Sequence, residues 1–139
     1  MAEAPLLEVA GVYAGYGDGI VLHGLDLAVA PGEAVSVLGR NGVGKTTMMR
    51  TVMGLLRPRA GGIRFAGTRI DGKPPFAIAR AGVAYVPQGR EVFGDLTVDE
   101  NLILGDLRAR SADRAYAVFP ALAERRREVA SRLSGGQQQ

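Results

Sequence analysis

The chain has 139 residues, 47 % apolar and 22 % charged, a composition that supports a globular domain with a real core. It contains no cysteine, so disulfides and thiolate metal sites are excluded. Seventeen basic residues against 14 acidic ones leave a net charge of +3. The basic residues are scattered apart from Arg125-Arg126-Arg127, which Glu124 and Glu128 flank. A solvated helix face accounts for that triplet, and no nucleic-acid partner is expected. Met1-Ala2-Glu3-Ala4-Pro5 lacks the basic and then apolar regions of a signal peptide. No apolar run approaches the ~18 residues that a membrane-spanning helix needs.

In chain order, residues 6–13 alternate loosely around Val9 and Val12 and predict a first strand. Gly15-Tyr16-Gly17-Asp18-Gly19 predicts a turn. No helix follows these glycines, which argues against a dinucleotide fingerprint. Residues 22–30, with Leu25, Leu27 and Val29, predict a second strand that Pro31-Gly32 closes. Strands joined by short turns imply an antiparallel β layer at the N-terminus. Residues 34–38 are a short β-prone run and predict a third strand.

The next stretch organises the rest. Gly39-Arg40-Asn41-Gly42-Val43-Gly44-Lys45-Thr46-Thr47 fits G-x-x-x-x-G-K-[ST] at Gly39, Gly44, Lys45 and Thr46. Glycines let successive backbone N–H groups turn inward on an anion. Lys45 can reach β- and γ-phosphates, and the Thr46 hydroxyl can ligate Mg²⁺. Residues 46–55 read as a helix with Met48, Met49, Val52, Met53, Leu55 and Leu56 on its apolar side. Its N-terminal N–H groups and positive dipole end would face the phosphates.

Gly54 and Pro58 are stop signals. Gly61-Gly62 turns into a short strand over residues 63–67. Pro74-Pro75 precedes a short helix through Ile78 and Ala81, which Gly82 ends. Residues 83–86 predict a buried strand that runs into Pro87-Gln88-Gly89-Arg90. From about residue 95 the pattern turns helical. Thr97-Val98-Asp99-Glu100 is a capping box. Ser111 is a second cap candidate, opening a helix with Tyr116, Val118 and Phe119 that Pro120 interrupts; helix resumes from Leu122 to Arg127. Residues 95–132 thus predict a helical insert outside the sheet.

The chain ends on Leu133-Ser134-Gly135-Gly136-Gln137-Gln138-Gln139. Ser134 with Gln137 three residues on again fits a capping box, and the glycines leave N–H groups open to an anion. An ordinary helix cap in a polar tail is the plainer account of these residues alone.

Together these motifs resemble the nucleotide-binding domain of ABC transporters, whose signature is Leu-Ser-Gly-Gly-Gln, letter for letter residues 133–137. Gln88 matches the glutamine of that family's Q-loop. Tyr16 sits where its adenine-stacking aromatic is expected, with Tyr13 as a rival and a turn tyrosine packed on the sheet as the structural alternative. Within the family, residues 85–93, 96–102 and 119–120 and Glu124-Arg125-Arg126-Arg127 resemble the import ATPases for branched-chain amino acids. The urea and short-chain amide members are closely similar. Glutamine at 88 and 137 leans toward them, too little to choose.

The resemblance implies an α/β P-loop fold of the ABC ATPase type. It would have a β layer and P-loop core over residues 1–94, a helical subdomain over 95–132 and the signature over 133–139. It implies ATP and Mg²⁺, shared between two ATP-binding subunits that meet head to tail. Gly39, Asn41, Gly42, Gly44, Lys45, Thr46 and Thr47 would hold phosphates from one side, with Thr46 and Gln88 near the metal. Ser134, Gly135, Gly136 and Gln137 would close the site from the other. Lys45 and Gln88 would serve catalysis. Permease subunits would dock on the helical block, at the cytoplasmic face of the membrane, with a solute-binding protein engaged indirectly. A soluble ABC-type ATPase and a non-catalytic nucleotide-binding fragment are the alternatives.

The family pattern also needs an apolar strand ending in Asp-Glu after the signature, and a later histidine. Residues 96–100 end in Asp-Glu but precede the signature and form a cap. His23 precedes the P-loop and reads as structural. The expectation is therefore the N-terminal part of a longer subunit, truncated before the Walker B strand, which folds poorly alone and does not turn over ATP.

Overall fold

The computed structural model describes residues 4–89, 91–105 and 110–138. Its contacts divide the chain into two units, Met1–Tyr85 and Val86–Gln139.

In the first unit, β1 (Leu7–Ala14) and β2 (Leu22–Val29) pair antiparallel, with Leu7 opposite Val29, Val9 opposite Leu27 and Ala14 opposite Leu22. β3 (Ala60–Phe65) pairs with the other side of β1, and β4 (Thr68–Arg69) folds back on β3. The sheet order is β2-β1-β3-β4. The loose alternation of β1 has a physical cause. Strict period two cannot bury both Val9 and Val12, yet both are buried. Irregularities in the ladder between Val9 and Val12 absorb the odd residue, and the Gly11 N–H is taken by the Asp26 carboxylate at 2.7 Å.

Helix α1 (Lys45–Val52) and helix α2 (Pro75–Ala81) belong to the same unit. Met48, Val52, Met53 and Ile78 join Val9, Val12, Ile63 and Ile70 in one core. Each such burial contributes about 1.5–3 kcal/mol. Pro75 starts α2, where its missing N–H costs nothing, and Gly82 stops it. Of the apolar face expected for α1, Met48, Val52 and Met53 are buried, whereas Met49 and Leu55 are exposed.

Two expected strands are absent. Residues 34–38 and 83–86 belong to no strand. Val37, Val83 and Tyr85 pack on the core, so one side of each segment is anchored. The other side is open: Leu38 is 90 % exposed and Val86 70 %. A strand is defined by its ladder, and no described segment pairs with either one.

The second unit holds α3 (Val98–Gly105), α4 (Asp113–Val118), α5 (Pro120–Ala123), a 3₁₀ turn (Ala130–Arg132) and α6 (Gly135–Gln138). The Thr97 capping box forms in full. The Glu100 N–H donates to the Thr97 hydroxyl at 3.2 Å, and the Thr97 N–H donates to the Glu100 carboxylate at 2.8 Å. The second cap shifts by one residue: Ala112 is the N-cap of α4, while the Ser111 hydroxyl accepts the Asp113 N–H at 3.1 Å. Phe119 ends α4 because the following proline disfavours helical backbone before it.

Candidate functional site

The loop over residues 39–44 delivers the chain to the start of α1. Gly44 is the N-cap, with φ of 102°, in the left-handed region. A Cβ there would stand 2.9 Å from Leu22 Cδ2 and 3.2 Å from Val21 Cγ1. Only glycine lets the loop close this tightly on the residues that open β2. Lys45 follows as the first helical residue. Its ammonium donates to the carbonyls of Gly39 at 2.6 Å and Arg40 at 2.7 Å, so the cation lies against the loop.

The helix start fits a phosphate group on three counts. No side chain caps its N–H groups, its first turn carries no acidic residue, and Lys45 supplies positive charge. Asn41, Gly42 and Thr46 are exposed on the loop and first turn. Thr47 is buried at 6 %, on the core side of α1, and its carbonyl accepts the Thr51 hydroxyl at 2.7 Å. No group of three His, Asp or Glu side chains among the described residues could hold a metal ion. Magnesium fits the remaining chemistry, since it takes one or two protein oxygens and completes its shell with phosphate and water. Thr46 offers such an oxygen here.

Tyr16 lies on the turn between β1 and β2, 48 % exposed, and accepts the Gly19 N–H at 2.9 Å through its carbonyl. Its rival Tyr13 is engaged, edge-on to His23 with ring centroids 6.3 Å apart. Arg59 fastens the Tyr16 turn. Its guanidinium donates to the Gly17 carbonyl and its backbone N–H to the Tyr13 carbonyl at 2.8 Å. Arg59 escaped the sequence reading because it sits beyond a helix stop with no motif around it.

The second unit carries the other expected residues. Gln88 is exposed in a bend. At the signature, half of the expected capping box forms: the Ser134 N–H donates to Gln137 Oε1 at 3.1 Å. The Gln137 N–H goes to the Ser134 backbone oxygen at 3.0 Å instead of the hydroxyl. The Ser134 hydroxyl is therefore not spent on the helix. Gly136 has open space where a side chain would be. Beside these residues runs a mostly apolar groove of about 500 Å³, with Val98, Leu102, Val118, Phe119, Leu122 and Leu133 on its walls. The Tyr116 hydroxyl, donating to Asp99 at 2.6 Å, ties α4 to α3. Its burial, the bond to Asp99 and the Asp99 charge push the phenol up to about 12. The P-loop and Tyr16 belong to the first unit, and Gln88 and the signature to the second.

A glycine loop leading into an uncapped helix start, with a lysine against it, defines a phosphate site of the P-loop type. The family model for the ABC transporter domain matches residues 22–139, and the chain belongs to that family. A branched-chain amino acid transport ATP-binding protein of Pseudomonas aeruginosa, BraG, is 39 % identical over 130 residues, covering 89 % of this chain and 56 % of the relative. The Nod factor export ATP-binding protein I of Paraburkholderia xenovorans is 41 % identical over 143 residues, covering 98 % of this chain and 46 % of the relative. The chain thus spans about half the length of these curated relatives. A solved ATP-binding subunit of an ABC transporter superposes with a TM-score of 0.82 at 30 % identity, over 96 % of this chain and 57 % of that one. The fold is that of the ABC ATPase cassettes, a mixed α/β P-loop fold.

Proposed function

We propose that this chain is the nucleotide-holding part of a subunit that couples ATP binding and hydrolysis to solute import through an ABC transporter. The observation that carries this reading is the junction of loop and helix, where Lys45 sits at an uncapped and acid-free helix start. Lys45 and the N–H groups of residues 42–47 would offset the charge of a triphosphate tail. Thr46 would offer its hydroxyl to Mg²⁺, and Gln88 would approach the metal and the attacking water. Mg²⁺, when bound, neutralises charge on the phosphate oxygens. Tyr16 would stack on the adenine.

Ser134, Gly135 and Gly136 would hold the γ-phosphate of a nucleotide bound by a second ATP-binding subunit. That sharing favours a closed pair only while nucleotide bridges it. The apolar groove supports docking of permease subunits on the second unit, at the cytoplasmic face of the membrane. A solute-binding protein would act through those permeases. No described helix is long and apolar enough to cross a membrane itself.

The proposed cargo is a branched-chain amino acid, after residues 85–102 and the Pseudomonas relative. Urea or a short-chain amide is the alternative. Lys45→Ala in the full-length subunit, assembled with its permease, is expected to cut phosphate release by at least ~100-fold and to stop uptake of labelled leucine. An undiminished rate overturns the ATPase reading. Uptake of urea in place of leucine by the intact transporter moves the cargo to the alternative.

A further inference from the structure

At Phe93 the chain is held by one side chain, that of Asn101. Asn101 Oδ1 accepts the Phe93 N–H at 2.8 Å, and Asn101 Nδ2 donates to the Phe93 carbonyl at 3.0 Å. The amide thus pairs with Phe93 at two points, as a neighbouring strand would. The same Nδ2 reaches the Thr97 carbonyl at 2.9 Å. Burial anchors this stretch only at its far end, at Val98, because the Phe93 side chain is exposed.

The stapled stretch is then laced to the residues just before the signature. The Ser131 N–H donates to Gly94 at 3.1 Å and the Ala130 N–H to Leu96 at 2.8 Å. In return, the Val98 N–H donates to Glu128 and the Asp99 N–H to Arg126, each at 3.0 Å. Thr97 and Val129 form an antiparallel bridge. The Ala130 carbonyl accepts the Leu133 N–H at 3.2 Å and the Gln138 side chain at 2.8 Å, which brings the lacing into the signature helix.

We propose that Asn101 is a positioning residue that holds residues 93–97 in the shape that backbone bonds then join to residues 126–138, so that the stretch from Phe93 and the signature cannot move separately. Asn101 acts by fixing where Ser134, Gly135 and Gly136 present their donors. The consequence for catalysis rests on the ATPase reading above, whereas the mechanical link does not.

The test uses the full-length subunit and two variants on opposite sides of the lacing. Asn101→Ala removes the staple. Ala130→Pro removes the N–H that bonds Leu96, at the first position of a 3₁₀ turn where proline is tolerated, and adds ring carbons at a buried position. Amide hydrogen exchange at residues 133–138 is expected to rise about fivefold or more in both, with α1 unchanged. The kcat for ATP is expected to fall about 10- to 100-fold, while fluorescent-nucleotide affinity of the monomer stays within about twofold. A purely structural asparagine would lower the melting temperature without that split. Unchanged exchange at residues 133–138 in both variants overturns the link, whatever the ATPase assay gives. Raised exchange with full kcat overturns its role in the reaction. A wild-type subunit with no ATPase activity counts against the ATPase reading, and the exchange result still decides the link.

Discussion

The two units are held together by different means. The first has ten buried apolar residues in one cluster across three paired strands and two helices. The second buries only Val98, Ala112, Ala130 and Leu133 among its described apolar residues. It relies instead on backbone lacing, the Asn101 staple, the Thr97 box and the Tyr116–Asp99 bond. Apolar burial resists small displacements, because any gap forfeits contact energy. A hydrogen-bonded fastening contributes only about 1 kcal/mol per bond and can open locally. The P-loop thus stands on the rigid unit, and the signature stands on the unit whose order is specified bond by bond.

The sharpest way to break the first unit is at the crossing of β1 and β3. A methyl on Gly61 would overlap the Gly11 carbonyl and stand 2.6 Å from the Ala10 oxygen, with φ at 86°. Gly61→Ala is expected to cost about 3–5 kcal/mol and about 10 °C of melting temperature in the full-length subunit. Its neighbour is the control, since a Cβ on Gly62 meets nothing closer than 3.8 Å. Gly62→Ala should change the melting temperature little. Equal effects at the two positions would show that the close approach does not set the pairing.

Features decided by neighbours in sequence were legible. The junction at Gly44 and Lys45, the Thr97 box and the bounds of α2 at Pro75 and Gly82 each follow from backbone rules acting within a few residues. Residues 34–38 and 83–86 follow no such rule, because a β-prone run becomes a strand only beside a partner. Arg59 and Asn101 were missed for a related reason. Both act by side-chain bonds to backbone groups of other segments, which no periodicity announces. A hint existed at Asn101, the last polar residue before the apolar run Leu102-Ile103-Leu104, where an amide needs partners.

Arg59 allows a smaller perturbation of the rigid unit, aimed at binding instead of stability. Without its guanidinium the Tyr16 turn keeps only its own Gly19–Tyr16 bond and its strand ends. Arg59→Ala is expected to raise the KM for ATP about three- to tenfold and leave kcat alone, the pattern of a contact made equally in ground and transition states. Tyr16→Ala should give the same split. If Tyr16→Ala raises KM and Arg59→Ala does not, the turn holds its shape without the arginine. If neither does, Tyr16 is not the base platform.

The smallest expected effect compares the units through acid. The Thr97 N–H and hydroxyl hold the Glu100 carboxyl below its usual 4.5. Partial burial of Asp71 opposes ionisation, yet the Ile63 N–H and the Arg69 guanidinium outweigh it and keep the carboxyl below 3.8. Both folded values are depressed, so each carboxylate stabilises its unit fully above its unfolded value and loses that contribution as pH falls through the folded one. Glu100→Gln should therefore lower the melting temperature at pH 7 by no more than about 2 °C, since the group is exposed and amide oxygen still accepts one bond. The gap between variant and wild type should begin to close as pH falls below 4.5 and vanish once pH is below the folded value, where the wild-type carboxyl is protonated too. Asp71→Asn should behave the same way in the first unit, its gap beginning to close as pH falls below 3.8. A gap that does not narrow at all as pH is lowered through the acid range would mean that the side chain stabilises its unit by shape and neutral hydrogen bonds, and that its charge is incidental.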